Sequence, residues 1–161
     1  MKKAVFLDRD GVINHDPGDY TTSLNEFIIL PDVIPTLVKW SRKGYWIVVI
    51  TNQGGIAKER YTLDEFYEID AYMREKFLEG GIKYLDTYFC PHHDAFGQCL
   101  CRKPKSGMIE KALARHEIDP GQSVMIGDKW RDLEAAEKAG VSGIKIDVNQ
   151  SLASVNIFKQ E

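Results

Sequence analysis

The sequence predicts an α/β protein of Rossmann-like architecture, a mainly parallel sheet with helices on both faces. Short apolar runs rich in β-branched residues recur along the chain, each bounded by turn signals. Helical patterns lie between most of them, and strands that alternate with helices favour crossover connections and hence parallel pairing. In such sheets ligand sites collect at the carboxyl ends of the strands. The 161 residues suit a single domain over 1–161. A chain of that size buries roughly 70% of its unfolded surface and needs no disulfides.

The first strand is Ala4–Leu7, which ends abruptly in Asp8-Arg9-Asp10-Gly11. If the strand direction persists, Asp8 and Asp10 project to the same side. Gly11 then lets the backbone turn without a β-carbon. Two carboxylates this close need a counter-ion, and magnesium prefers such oxygen ligands. One carboxylate can then attack phosphorus while the other moves protons. An ordinary strand followed by an Asp-Gly turn would carry the same residues.

A helix follows over Val33–Arg42, with Val33, Ile34, Leu37, Val38 and Trp40 as its apolar positions and Gly44 as its stop. The second strand, Trp46–Ile50, delivers Thr51, Asn52, Gln53 and Gly54 to the same edge as the carboxylates. A threonine hydroxyl and the N–H groups of a glycine-rich turn can hold a phosphate, although the same residues also suit a plain turn. Thr62-Leu63-Asp64-Glu65 reads as a capping box before a long helix carrying Phe66, Ile69, Met73 and Phe77 and closed by Gly80-Gly81.

The third strand is Leu85–Phe89. All three cysteines lie just beyond it, within Cys90-Pro91-His92-His93 and Cys99-Leu100-Cys101. Cys90, His92, Cys99 and Cys101 make a closed four-ligand shell for structural zinc and leave His93 spare. The one-residue spacing within each pair does not match a DNA-binding finger. Free thiols in a reducing compartment are the alternative. Arg102 and Lys103 follow directly, where a pinned loop would hold both cations rigidly. Lys103 suits a phosphoryl group as a point charge, and Arg102 suits a forked contact to a second anion.

A helix over Ser106–His116 leads to a fourth strand, Ser123–Ile126, which runs through Gly127 into Asp128-Lys129. Asp128 can complete the magnesium shell begun by Asp8, and Asp132 can support a neighbouring ligand or lysine from behind. Asp128 as a helix cap and Asp132 as a solvated charge remain open. A helix over Trp130–Ala139 and a strand over Gly143–Ile146 complete the pattern, and the tail from Asn149 carries no signal. No repeat, low-complexity segment or dividing linker interrupts it.

Formal net charge is −3 without a long single-sign block, which argues against nucleic-acid or membrane-surface binding. No stretch reaches membrane-spanning length, and Asp8 interrupts the N-terminal apolar run too early for a signal peptide. We therefore expect a cytoplasmic protein that partners neither nucleic acid nor membrane.

Together these residues resemble the haloacid dehalogenase superfamily of phosphatases, whose pattern is Asp-x-Asp, then Thr or Ser, then Lys, then Asp at successive strand ends and loops. The zinc-type loop, with Asp8-Arg9-Asp10-Gly11, Thr51-Asn52-Gln53 and Cys101-Arg102-Lys103-Pro104, is similar to the small branch holding heptose-bisphosphate and histidinol-phosphate phosphatases. The likeness runs from about Lys3 to Asp147. Gly11-Val12-Ile13-Asn14, Gln53-Gly54-Gly55-Ile56-Ala57, Cys90-Pro91-His92-His93 and Gly107-Met108 favour the heptose type, while the short loop between His92 and Cys99 favours the histidinol type. The resemblance implies a magnesium-dependent phosphomonoesterase that removes the 7-phosphate of a small sugar bisphosphate. In it Asp8 is the nucleophile and Asp10 the general acid and base. Asp8, Asp128 and the Asp10 carbonyl hold magnesium, and Thr51 and Lys103 stabilise the phosphoryl group. It also implies no large cap domain and a monomer. Asp16, Gly18, Asp19 and Tyr20, together with Thr51, Asn52, Gln53, Gly54, Arg102, Lys103 and Lys129, would contact the substrate.

Overall fold

The computed structural model describes residues 1–158, so the last three residues of the expected 1–161 domain lie outside the described residues. Strands β1 (Lys3–Leu7), β2 (Tyr45–Asn52), β3 (Tyr84–Cys90), β4 (Val124–Gly127) and β5 (Ser142–Lys145) alternate with helices α1 (Val33–Arg42), α2 (Leu63–Glu79), α3 (Gly107–His116) and α4 (Trp130–Lys138). The sheet is parallel throughout, in the order β3-β2-β1-β4-β5. Strand order reverses between β1 and β4, and the crevice outside such a switch point is where an open α/β sheet binds ligand.

Strand alternation sorts the core into two layers. Val5, Leu7, Ile47, Val49 and Ile126 pack with Val33, Leu37 and Trp40 of α1 and with Ile69, Met73 and Phe77 of α2. Ala4, Phe6, Val48, Ile50 and Met125 pack on the other face with Met108, Ile109 and Ala112 of α3 and Ala135 and Ala136 of α4. Each fully buried Leu, Ile, Val or Phe contributes about 1.5–3 kcal/mol. β1 sits mid-sheet with Ala4 to Leu7 completely buried, so it is an anchored base for the residues that follow it.

The capping box of α2 forms as expected, with Thr62 Oγ1 accepting from Glu65 N and Glu65 Oε1 accepting from Thr62 N. A cap of this kind contributes about 1 kcal/mol. The chief difference from expectation is β2, which does not end at Ile50. Thr51 and Asn52 stay in the ladder, paired with Phe89 and Cys90 of β3. Among the described residues no helix is long and apolar enough to cross a membrane.

Candidate active site

Beyond Leu7 the alternation of β1 runs on for two residues. Asp8 continues the face of Ala4 and Phe6, toward α3 and α4. Arg9 continues the face of Val5 and Leu7, where its buried guanidinium lies 5.6 Å from the Phe27 ring and 5.9 Å from the Phe66 ring. The chain then turns tightly, with the N–H groups of Val12, Ile13 and Asn14 all donating to Arg9 O. Gly11 takes φ +84° there, and a Cβ on it would lie 2.6 Å from Asp128 Oδ2. The strand direction therefore does not persist, and the Asp8 and Asp10 carboxylates take different cationic partners, Lys103 and Arg9.

Asp8 Oδ1 accepts from Arg9 N at 2.9 Å and from Lys103 Nζ at 3.0 Å. Lys103 is buried and also donates to Ile50 O at 2.7 Å, with Asp132 Oδ1 at 2.6 Å. Burial works against its charge, but Asp8 and Asp132 outweigh that and raise the ammonium above its ordinary range. Asp132 thus supports the lysine from behind, and its Oδ2 accepts from Lys129 N, the residue that caps α4. Gly127 makes this possible, because a Cβ at that position would lie 2.3 Å from Asp132 Cβ.

Oxygens of Asp8, Asp128 and Asp132 lie within 4.8 Å of one another. Both Asp128 carboxylate oxygens are buried without a hydrogen-bond donor, and the Lys129 ammonium stands 3.8 Å away. Burial, with Asp132 adding to it, raises the Asp8 and Asp128 carboxyls above the usual carboxylate range. Two buried carboxylates side by side, one of them without a donor, form the oxygen-rich environment that a hard divalent cation satisfies, so Asp8 and Asp128 fit magnesium.

Asp10 has partners of its own. Its oxygens accept a forked contact from Arg9, with Arg9 Nη2 at 2.9 Å from Oδ1, and single bonds from Asn14 Nδ2 at 2.9 Å and Gln53 Nε2 at 3.0 Å. Burial opposes ionisation, but Arg9 and these hydrogen bonds prevail and hold the carboxyl below its ordinary range. Gln53 also donates to Thr51 Oγ1 at 2.8 Å, and its Oε1 accepts from the Tyr61 hydroxyl. Burial raises the Tyr61 phenol, so it stays protonated.

A cavity of about 410 Å³ opens beside Asp10 and is lined by Asp16, Gly18, Asp19, Tyr20, Thr21, Asn52, Gln53, Lys129 and Arg131. Most of the expected substrate residues therefore meet in one place. Thr51 and Lys103 do not line it and are buried. Arg102 does not line it either. Its Nη1 donates to His92 O at 3.1 Å, its Nε stands 3.7 Å from Asp94 Oδ2, and Gly54 lies against it. Asn52 lines the cavity with its amide engaged, since its Oδ1 accepts from Lys103 N and its Nδ2 donates to Lys103 O.

The four expected zinc ligands converge. Cys90 Sγ lies 2.9 Å from Cys101 Sγ, 3.7 Å from Cys99 Sγ and 3.4 Å from His92 Nδ1, with His92 Nδ1 3.2 Å from Cys101 Sγ. A tetrahedral site with Zn–S bonds of about 2.3 Å has edges near 3.8 Å, so the quartet fits that ion with small adjustments. Burial raises the Cys90 thiol. Burial also opposes ionisation of Cys99, but the N–H groups of Arg102 and Cys101 and the neighbouring thiols bring it down to about 6. His93 stays out of the quartet and accepts from Ala95 N.

Sequence reasoning passed over Arg131, Tyr61 and Asn149. Arg131 had a signal, a cation in the first turn of a helix whose macrodipole disfavours it there. Asn149 had none. It takes φ +62°, brackets the Asp16 backbone with both ends of its amide and donates its own N–H to Gly11 O, so the tail fastens the cavity-side loop at Asp16 to the turn that follows Asp8.

A HAD-hydrolase-like family model matches residues 100–151. The D-glycero-beta-D-manno-heptose-1,7-bisphosphate 7-phosphatase of Haemophilus influenzae is 41% identical over 154 residues, covering 92% of this chain and 80% of that one. The protein of the same name from Vibrio cholerae is 42% identical over 151 residues, covering 90% and 80%. Among solved structures, the D,D-heptose 1,7-bisphosphate phosphatase of B. bronchiseptica, complexed with magnesium and phosphate, superposes with a TM-score of 0.81 at 32% identity, covering 88% of this chain and 78% of that one.

Proposed function

We infer that this chain, which belongs to the heptose-bisphosphate phosphatase family of haloacid dehalogenase-like hydrolases, removes the 7-phosphate of D-glycero-D-manno-heptose 1,7-bisphosphate through a phosphoenzyme on Asp8. The observation that carries this reading is the junction of β1 and β4. A lysine-anchored carboxylate and a donor-poor one face each other there, beside a cavity whose wall includes Asp10.

Asp8 Oδ1 is held by Arg9 N and Lys103, which leaves Oδ2 to attack phosphorus. As the bond from phosphorus to the sugar oxygen breaks, Asp10 gives its proton to the departing alkoxide. Its carboxyl is held low in the free site, and the negative charge of an arriving phosphate next to it favours the protonated form. Once the sugar has left, Asp10 is a carboxylate and takes a proton from water. That water attacks the aspartyl phosphate, releasing phosphate and restoring Asp8. Lys103 faces the charge that develops on the phosphoryl oxygens, and Thr51 offers its hydroxyl to them. Asp8 and Asp128, with the Asp10 carbonyl, would hold magnesium, which supplies further positive charge to the phosphoryl group when bound. Asp16, Gly18, Asp19, Tyr20, Asn52, Gln53, Gly54, Arg102 and Lys129 would surround the sugar and its second phosphate.

Cys90, His92, Cys99 and Cys101 would hold zinc as a structural ion, since four protein ligands leave no open position for water. Its role is to fasten a loop that begins at Cys90, paired with Asn52, and ends at Lys103, whose backbone Asn52 brackets. One chain supplies every group in this scheme, which supports a single catalytic domain acting as a monomer, and ligand thiols kept reduced suit the cytoplasm.

The test compares kcat/KM on both anomers of heptose 1,7-bisphosphate with kcat/KM on histidinol phosphate, with magnesium present. The heptose bisphosphate is expected to be the better substrate. A preference for histidinol phosphate overturns the substrate assignment, and no turnover of either overturns the phosphatase.

A further inference from the structure

Gln53 joins two groups of the reaction. Its Nε2 lies 3.0 Å from Asp10 Oδ2 and 2.8 Å from Thr51 Oγ1, and its Oε1 faces the Tyr61 hydroxyl. The chemistry assigns the direction of every bond. A carboxylate only accepts, so the amide nitrogen must face Asp10 and the amide oxygen must face Tyr61, whose phenol is then the donor. Thr51 accepts from Gln53, so its single proton is kept for another acceptor. The nearest acceptor bonded to it is Asn52 O, at a long 3.4 Å. The polarity thus runs one way, from Tyr61 through Gln53 to Asp10 and Thr51.

Tyr61 is buried, with its ring centroid 6.1 Å from that of Tyr20. Packing fixes the ring, and the hydroxyl adds direction. Without that hydroxyl the Gln53 oxygen loses its donor, and the amide, although still turned by the Asp10 carboxylate, is held from its nitrogen end alone. The amide would then swing on that end and loosen its aim at Asp10 and Thr51.

We propose that Tyr61 is a positioning residue for phosphoryl transfer, whose hydroxyl fixes the orientation of the Gln53 amide and thereby aims Asp10 and the Thr51 hydroxyl. This rests on the phosphatase reading above, with Asp10 and Thr51 in the roles given there. Tyr61 touches no reacting atom, and the Asp10 and Thr51 it aims through Gln53 act on the phosphoryl group, so its effect falls mainly on kcat.

The test is a double-mutant cycle on the magnesium-loaded enzyme with heptose 1,7-bisphosphate, using Tyr61→Phe, Gln53→Ala and the pair. Wild-type turnover in the same assay establishes the phosphatase reading independently, so a failure there is distinct from a failure here. Tyr61→Phe is expected to lower kcat about threefold to tenfold, the worth of one hydrogen bond, with KM unchanged. In the Gln53→Ala background the same change is expected to have no further effect. Either full kcat in Tyr61→Phe or an equal loss with and without Gln53 overturns the proposal, the second because it assigns the effect to packing. Should Tyr61→Phe fail to fold, Gln53→Glu serves instead. It can still accept from Tyr61 but cannot donate to Asp10 or Thr51, so its kcat is expected to fall below that of wild type, and wild-type kcat in it overturns the proposal.

Discussion

The acidic cluster at the ends of β1 and β4 and the thiol cluster at the end of β3 each gather ligating atoms within 4.8 Å, yet they are built by opposite means. The acids come from the end of a central strand, the end of a neighbouring strand and a helix beneath it, all rooted in the core and buried. The thiols and imidazole come from the last residue of β3 and the loop that follows it, and of the four only Cys90 is buried. The first is held by the sheet itself, whereas the second lies mostly outside the core and is the one whose stability a bound metal would be expected to govern. Lys103 connects the two, being two residues from Cys101 and in contact with Asp8.

The sharpest way to break this contrast is Asp8→Asn. It is expected to abolish turnover and any phosphoenzyme detectable by mass spectrometry, with the fold retained, because Lys103 keeps Asp132 and Ile50 O as partners. Residual turnover near wild type would take the nucleophile's role from Asp8. Asp10→Asn is expected to bind substrate but turn over about 10²–10⁴-fold more slowly, the usual worth of general acid–base transfer.

Lys103→Met attacks the connection itself. Removing one partner from a buried ion pair costs about 3–5 kcal/mol, so both stability by denaturant titration and phosphoryl transfer should fall. A variant losing activity alone would show that the lysine is not needed to neutralise Asp8 and Asp132. Next comes removal of zinc, or Cys99→Ser, which should lower the melting temperature because metal binding is coupled to folding. Readdition of magnesium should not repair it. Full activity and stability in enzyme shown by elemental analysis to lack zinc would erase the proposed difference between the clusters.

The smallest effect concerns pH. The Asp8 and Asp128 carboxyls are raised in the free site, chiefly by burial. Magnesium therefore competes with protons for these carboxyls, and its affinity should weaken as pH falls from neutral toward the ordinary carboxylate range. Titration calorimetry at several pH values would show this as proton release on binding. A magnesium affinity independent of pH would mean that these carboxyls are already ionised without it.

Short-range periodicity, two in the strands and 3.6 in the helices, sufficed for the sheet, for its helices and for the arrival of Asp8, Thr51 and Asp128 at one edge, because both periods are local properties of the chain. The thiol quartet was legible for the same reason, its ligands being neighbours in sequence. Contacts across the fold were not legible, because they depend on register and crossover. Asp8 and Asp10 look like a pair, yet the turn at Gly11 separates them and gives Asp8 to Lys103 and Asp10 to Arg9, Asn14 and Gln53. Asn149 reaches Asp16 across 133 positions of sequence, and Tyr61 reaches Asp10 only through Gln53. Residue types and short spacings thus determined which chemistry this chain carries. Which carboxylate faces which cation was decided by the folded sheet, since only there do its strand ends come within hydrogen-bonding distance.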